Sequence, residues 1–156
     1  MSHIHEHIDW TIVAYVVHGG RVLFIFHKEL QKWLPLGGHI ELDEDPDQAL
    51  LREVKEESGL EDVEVLSSKP NIAPSSPERK FLYAPSFMDI HPISSTHRHI
   101  GLVYFLRSKT DAVALAEQEH DEIRWFSESD LDDPQFNLES GVRFYAKEAL
   151  KAASVR

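Results

Sequence analysis

Runs of apolar residues, interrupted by glycine, proline and charged residues, predict the order of strands and helices along the chain. Residues 10–28 form two runs rich in Val, Ile, Tyr and Phe, and residues 18–20 (His-Gly-Gly) separate them. Because these residue types favour strands and glycine permits a tight reversal, the pattern predicts a β-hairpin. Residues 33–42 follow as a short extended segment, in which Pro35 opposes a helix and two adjacent glycines allow another backbone to approach closely.

A helix is predicted over residues 46–58. Asp45 is a favourable N-cap, Pro46 suits the first helical position, and Gln48 completes a capping box. Gly59 is a favourable C-terminal stop. The side of the helix expected to face the core carries three apolar residues, Leu50, Leu51 and Val54.

The rest of the chain alternates between β-rich segments, loops and a closing helix. Residues 70–80 are rich in Pro and Ser and are predicted to form a surface loop rather than a domain linker. Together the elements indicate a mixed β-sheet with helices against it, in a single domain spanning residues 1–156. Strands are predicted over residues 63–69, 81–90, 99–108 and 121–127, a helical turn over 128–133 and an amphipathic helix over 138–153.

Composition and charge limit the partners. The chain has 156 residues, of which 42% are hydrophobic, and a formal net charge of -11 from 16 basic and 27 acidic residues. Because no basic surface is available to displace the counterions of a nucleic acid, we expect no stable nucleic-acid binding. A small phosphorylated ligand is compatible with this charge, since a bound metal ion can supply positive charge.

The chain contains no cysteine, which excludes disulfides, zinc–thiolate sites and a cysteine nucleophile. The sequence shows neither an apolar signal region nor an apolar run of membrane-spanning length. We therefore expect a cytoplasmic protein without membrane association.

Three glutamates on the predicted helix share one face. Glu53, Glu56 and Glu57 fall within an arc of about 100° at 3.6 residues per turn, and Ala49 lies in the same arc, where a small side chain is expected to leave room. Two carboxylates about 5 Å apart repel by roughly 3 kcal/mol at an effective dielectric constant near 20. Such a face needs a proton, a basic partner or a metal ion, and Mg²⁺ prefers oxygen ligands. The alternative is a solvated acidic face that neighbouring basic residues partly neutralise.

The flanking residues favour a metal site. Nine positions between residues 38 and 60 follow a fixed spacing: Gly38, Glu44, Arg52, Glu53, Val54, Glu56, Glu57, Gly59 and Leu60. This segment resembles the Nudix box, Gly-x5-Glu-x7-Arg-Glu-U-x-Glu-Glu-x-Gly-U, where U is a bulky aliphatic residue. A non-defining position carries Asp43 where family members often have glycine. The resemblance implies a Nudix-type α/β/α sandwich and hydrolysis of the pyrophosphate bond in a nucleoside diphosphate linked to another group.

The resemblance also implies substrates, cofactors and a partner. Candidate substrates are (d)NTPs, including oxidised ones, and nucleotide sugars such as ADP-ribose. Glu53 and Glu57 would ligate Mg²⁺ or Mn²⁺, Glu56 would be a further or water-mediated ligand, and the backbone carbonyl of Gly38 would join them. Glu44 would form an ion pair with the box arginine that holds loop to helix. Nudix proteins are often dimers, so a homodimer is one possible assembly, and the oligomeric state stays open from the sequence.

A loop glutamate is a further candidate metal ligand or general base. Glu119 lies six residues before Trp125, a spacing that resembles the catalytic loop of some Nudix enzymes. Glu122 is the competing loop residue, and Glu53 is itself the base in some relatives. These three alternatives remain open from the sequence.

Substrate contacts are expected from Lys28 and His39, which flank the hairpin end and the box where relatives place phosphate contacts. His97 and His99 share a predicted strand face and could line the phosphate pocket, although a structural or exposed pair is an alternative. Every second residue near the N-terminus is a histidine, at His3, His5 and His7. This alternation predicts either an adventitious metal site or a frayed end. A different class of function is a non-catalytic Nudix module that binds a nucleotide as a sensor or scaffold.

Overall fold

The computed structural model describes residues 4–155 and begins with the predicted hairpin. Strand β1 spans Ile8–His18 and strand β2 spans Arg21–His27. The turn between them consists of Gly19 and Gly20, which have φ angles of 57° and 74°. These left-handed angles suit glycine and give the tight reversal that the sequence predicts.

Two short strands follow the hairpin and place the glycine pair against β1. Strand β3 spans Lys32–Leu34 and pairs with β2, whereas strand β4 spans Leu36–His39 and pairs with the first half of β1. Pro35 separates the two strands. The segment therefore crosses from one partner strand to the other within a few residues.

Helix α1 spans Pro46–Ser58, as the capping pattern predicts. The Asp45 side chain accepts a hydrogen bond from the Gln48 amide, the Gln48 side chain completes the capping box, and Gly59 ends the helix in the left-handed conformation. Two details of the predicted helix faces are wrong. Ala49 is fully buried in the core and leaves no room for a solvated group, and Leu51 is 49% exposed.

The middle of the chain supplies strand β5 (Val63–Val65), strand β6 (Phe87–Pro92) and strand β7 (Arg98–Ser108). The strand predicted over residues 81–90 is wrong at its beginning, because residues 81–86 are irregular. There the backbone amide of Tyr83 donates to the buried side chain of Asp47 instead of to a neighbouring strand.

The last elements are strand β8 (His120–Phe126), the short helix α2 (Glu128–Leu131), a 3-10 turn (Pro134–Phe136) and helix α3 (Ser140–Ser154). Strand β7 runs parallel to β1 over ten residue pairs and antiparallel to β5 and β6. Strand β8 pairs antiparallel with β2. The sheet is therefore mixed, as predicted.

Two apolar clusters lie on opposite faces of this sheet and confirm the predicted α/β/α sandwich. Even-numbered residues of β1, such as Ile12 and Ala14, pack with Leu50 and Val54 of α1. Odd-numbered residues, such as Tyr15, pack on the other face with α3, because side chains alternate along a strand. Within residues 4–155, no helix combines the length and the apolar character needed to cross a membrane.

Replacing the N-cap of α1 tests how much this helix start contributes to folding. Asp45→Ala removes the capping hydrogen bond and the contact with Lys80. We expect the free energy of unfolding to fall by about 1 kcal/mol, measured by urea denaturation. The matched control is Asp43→Ala, an exposed aspartate in the same loop. Equal losses in the two variants would show that the cap has no special role.

Candidate active site

The carboxylates of α1 lie directly against the glycine pair of β4. The backbone amide of Gly37 donates to Glu57 Oε1 at 2.7 Å. A Cβ atom added at Gly38 would lie 2.2 Å from Glu53 Oε1, and one added at Gly37 would lie 2.3 Å from the backbone oxygen of Ile12. A side chain at position 38 would therefore displace the Glu53 carboxylate from the sheet, and one at position 37 would clash with the backbone of β1.

Arg52 holds the loop before the helix to the helix itself, as the resemblance implies. Its guanidinium forms two hydrogen bonds with the Glu44 carboxylate, at 2.6 and 3.0 Å, and a third with the backbone oxygen of His39 at 3.1 Å. This hydrogen bonding lowers the pKa of Glu44, against the opposing effect of burial. The same guanidinium lies 2.9 Å from Glu53 Oε1 and 3.2 Å from Glu56 Oε2.

Glu53 lies in an environment that disfavours its charge. Burial raises its pKa most, the Glu57 carboxylate one turn away adds to the rise, and the hydrogen bond from Arg52 opposes it. The resulting pKa is about 7, compared with the ordinary value of 4.5. Glu56 differs, because its side chain is 60% exposed.

A β-bulge in β8 brings His120 to Glu57. Ile25 pairs with Ile123 and His27 pairs with His120, so β8 contains one residue more than β2 over this stretch. The extra residue turns His120 to the same face as Ile123, which packs on the α1 cluster. As a result His120 Nε2 lies 2.7 Å from Glu57 Oε2, with both side chains buried.

The role of His120 was not predicted from the sequence. The signal for it in the sequence is its place beside Glu119, in the segment that resembles a catalytic loop. Recognising its contact required knowledge of the bulge, which has no clear sequence signature.

The two competing loop glutamates lie in different surroundings. Glu119 is 70% exposed and lies 3.7 Å from His120 Nε2. Glu122 is exposed and pairs with Phe26, whose side chain lies on the face opposite Ile25 and Ile123. Only Glu119 therefore approaches the carboxylates of α1.

Lys28 lies beside the same loop. Its backbone amide donates to the Glu119 oxygen at 3.5 Å, and its ammonium group contacts the backbone oxygen of Glu117 and, at 4.0 Å, the Asp121 carboxylate. This places an exposed cation at the edge of the carboxylate site. Its predicted role in substrate binding stays a prediction.

The other three residues predicted to bind substrate are histidines that meet around Asp9. His39 and His97 are 5% and 4% exposed, and His99 is partly buried. Their predicted substrate contacts stay predictions, but this burial favours a different role. Of the three N-terminal histidines, His3 lies outside the described residues.

The donor atoms of the site fit a divalent cation. Within residues 4–155, one group of side chains with ligand atoms no more than 4.8 Å apart consists of Glu57, Glu119 and His120. Glu53 adjoins this group, since its pKa responds to the Glu57 charge. Carboxylate oxygens are the ligands that Mg²⁺ and Mn²⁺ prefer, and these cations would offset the repulsion within the site.

An apolar cavity of about 360 Å³ lies near the start of α1. It extends from the first residues of β1 to the loop that follows β4, and Trp10 is 46% exposed. The box glutamates are not among its lining residues, which are His5, Asp9, Trp10, Ile40, Glu41, Leu42, Pro46 and Leu102.

Comparison with known proteins agrees with this geometry. A family model described as the NUDIX domain matches residues 7–147. A NUDIX-family hydrolase from Clostridium perfringens is 30% identical, with a TM-score of 0.78 and coverage of 93% of this chain and 97% of that chain. A MutT NUDIX hydrolase from Burkholderia pseudomallei is 22% identical, with a TM-score of 0.65 and coverage of 91% and 98%. An Ap4A hydrolase from C. elegans is 20% identical, with a TM-score of 0.52 and coverage of 94% and 95%.

No curated protein matches the sequence. A Nudix hydrolase fold is defined by this sandwich and by a carboxylate-bearing helix that packs against glycines of the sheet. The chain belongs to the Nudix family, and it is a pyrophosphohydrolase of that family, acting on nucleotide derivatives.

The raised pKa of Glu53 predicts how the stability of the metal-free protein depends on pH. The folded chain keeps the Glu53 proton up to about pH 7, whereas the unfolded chain loses it near the ordinary value of 4.5. Between these values the folded state binds more protons, so the Glu53 contribution to stability is present at low pH and is lost as pH rises. Glu53→Gln should therefore raise the free energy of unfolding at about pH 8, by up to about 3 kcal/mol, and change it little at about pH 5.

The measurement is urea denaturation in EDTA at both pH values. Glu56→Gln is the matched control, since Glu56 contacts the same guanidinium but is largely exposed. A Glu53→Gln variant that is no more stable than wild type at the higher pH would contradict the prediction.

Proposed function

We propose that the protein hydrolyses the pyrophosphate bond of a nucleoside diphosphate linked to another group, such as a (d)NTP or a nucleotide sugar like ADP-ribose, with Mg²⁺ or Mn²⁺. The observation that carries the proposal is the contact of Glu53 and Glu57 with the glycine pair of β4. Their carboxylates, joined by Glu119, would hold the cation, with Glu56 as an outer or water-mediated ligand and the Gly38 carbonyl as a further one.

The bound cation would neutralise the diphosphate and lower the pKa of the attacking water. His120 and the Gly37 amide each hold one oxygen of Glu57, so the carboxylate keeps its orientation without substrate. Arg52 holds Glu53 in the same way. Positioning by the fold, rather than covalent chemistry, is what this reaction class chiefly requires.

Glu119 is the group we assign to proton removal from water. Its side chain is 70% exposed, and its carboxylate lies 3.7 Å from the same His120 nitrogen that contacts Glu57. Lys28, on the adjacent loop, is the cation available to a phosphate oxygen when its contact with Asp121 breaks.

The apolar cavity beside Trp10 supports a substrate with a sizeable second group. Its volume of about 360 Å³ lies within the range of small-molecule sites. The Ap4A hydrolase that resembles this fold is named for a dinucleotide substrate, but at 20% identity it indicates only that the sandwich accommodates such ligands.

Homodimer formation, a cytoplasmic location and the lack of nucleic-acid binding stay predictions.

The first test is a panel of nucleoside triphosphates, dinucleoside polyphosphates and nucleotide sugars, assayed with Mg²⁺ and Mn²⁺. We expect release of phosphate, pyrophosphate or nucleoside monophosphate from at least one class, and ¹⁸O from labelled water identifies the phosphorus attacked. Glu53→Gln should lower kcat by about 10³-fold or more, because it removes charge at the metal site. The exposed control Glu61→Gln should retain wild-type turnover.

A nucleotide-binding module without catalysis predicts a different result. It would bind members of the panel without turnover, and Glu53→Gln would weaken only the metal-dependent part of binding. Isothermal titration with the same panel distinguishes these outcomes.

A second test determines which of the two loop glutamates, Glu119 or Glu122, acts as the general base. Glu119→Gln should lower kcat by about 10²- to 10⁴-fold and flatten the acidic limb of its pH profile, as expected for loss of a general base. Glu122→Gln should leave kcat within about twofold of wild type, because Glu122 lies on the far face of the sheet. The reverse order of effects would assign the base to Glu122.

A further inference from the structure

A second cluster of metal-ligand side chains lies outside the active site. We call Asp9, His39, His97 and His99 the Asp-His cluster. Asp9 Oδ2 lies 3.0 Å from His39 Nε2 and 3.3 Å from His97 Nε2. The ring of His99 lies 4.8 Å from that of His39 and 5.2 Å from that of His97, between centroids. Asp9, His39 and His99 offer ligand atoms that all lie within 4.8 Å of one another.

Strand register explains why these residues meet. Asp9 of β1 is the direct partner of His99 in the parallel pair with β7. His39 of β4 is the partner of Thr11, two residues along β1 from Asp9. Register partners, and residues two apart on one strand, point to the same face of a sheet. Side chains from three strands therefore lie close together on this face.

This place is distinct from the carboxylate site, although the two are adjacent in sequence. Gly38 faces Glu53 of α1, and the next residue, His39, points to the opposite face because side chains alternate. The face that carries Asp9 continues along β1 to Val13 and Tyr15, which pack on the α3 side. The sheet therefore separates the two sets of ligands.

The hydrogen bond of His97 to the N-terminal segment orients this ring for coordination. His97 Nδ1 lies 3.0 Å from the backbone oxygen of Glu6, which can only accept, so Nδ1 donates. In a neutral ring Nε2 then carries a lone pair, and that lone pair faces the Asp9 carboxylate. The lone pair of His97 Nε2 and the Asp9 oxygen repel each other at this distance unless a proton or a cation lies between them. A histidine whose other nitrogen donates to a backbone carbonyl is typical of metal ligands.

Asp9 is held in place by the N-terminal segment. Its side chain is fully buried, and its oxygens accept backbone hydrogen bonds from Ile4 and His5, at 3.1 and 2.7 Å. These two amides fix the orientation of the carboxylate, which therefore offers an oxygen ligand beside the imidazole nitrogens of His39 and His97.

We propose that the Asp-His cluster is a binding site for a divalent transition metal ion, best suited to Zn²⁺, which ties the N-terminal segment to β1, β4 and β7. Three imidazole nitrogens and one carboxylate oxygen form a donor set that Zn²⁺ accepts in tetrahedral geometry, whereas Mg²⁺ prefers oxygen ligands. Tetrahedral ligands at about 2.1 Å from zinc lie about 3.4 Å apart. The separations of Asp9 from His39 and His97, 3.0 and 3.3 Å, are already close to this spacing. The ligand atoms of Asp9, His39 and His99 lie within 4.8 Å of one another, so the longest of these separations need to contract by up to about 1.4 Å. Rotation of the half-buried His99 ring offers part of that movement.

The test uses the full chain without an added histidine tag, stripped with EDTA and then titrated with Zn²⁺ in excess Mg²⁺. Isothermal titration calorimetry should show one high-affinity Zn²⁺ per chain, and bound Zn²⁺ should raise Tm. His97→Gln and His99→Gln should each weaken Zn²⁺ binding by at least about 100-fold. Two controls should keep wild-type affinity: His18→Gln, at the other end of β1, and Glu57→Gln, in the carboxylate site.

X-ray absorption spectroscopy of the zinc-loaded wild-type chain keeps the proposal testable if a variant fails to fold. The Asp-His cluster supplies more than one imidazole, whereas the group of Glu57, Glu119 and His120 supplies one. Multiple imidazole scattering around zinc supports the proposal. No high-affinity Zn²⁺ in the wild type, a single imidazole, or binding that only Glu57→Gln abolishes would overturn it.

Discussion

The close approach of α1 to the glycine pair of β4 is the constraint on which the site depends. At Gly38 the space that a Cβ would need is filled by the Glu53 carboxylate, and at Gly37 it is filled by the backbone of β1. The Glu53 carboxylate can therefore occupy this position only because residue 38 has no side chain, and β4 can lie against β1 there because residue 37 has none. The Gly37 amide uses this proximity to hold Glu57, and Arg52 fixes the loop that connects strand and helix.

The site combines strongly unfavourable and strongly favourable electrostatic interactions. Burial and repulsion by Glu57 oppose the ionisation of Glu53, whereas the hydrogen bond from Arg52 favours it. His120 contacts the neighbouring Glu57 carboxylate at 2.7 Å. The charge of Glu53 therefore costs stability when no cation is bound, and under the proposed function a bound cation would offset this cost. Functional residues are commonly held in this way, at the expense of the stability of the fold.

Local features of this protein were predictable from sequence because neighbouring residues determine them. The hairpin glycines, the capping box of α1 and the spacing of the box glutamates all act over a few residues. The His120 contact depends on one extra residue in β8, and the Asp-His cluster depends on pairing between Asp9 and His99, which are 90 residues apart in sequence. Tertiary packing likewise decided the burial of Ala49 and the exposure of Leu51.

The parallel pairing of β1 with β7 sets the order in which the chain is able to fold during synthesis. Ile8 pairs with Arg98 and Val17 with Arg107, so every contact closes a loop of about 90 residues. The β1–β2 hairpin forms early from local contacts, but the other edge of β1 stays unpaired until the ribosome has released β7. This apolar strand edge is the part of the nascent chain most exposed to edge-to-edge aggregation, and the part that a chaperone would need to cover.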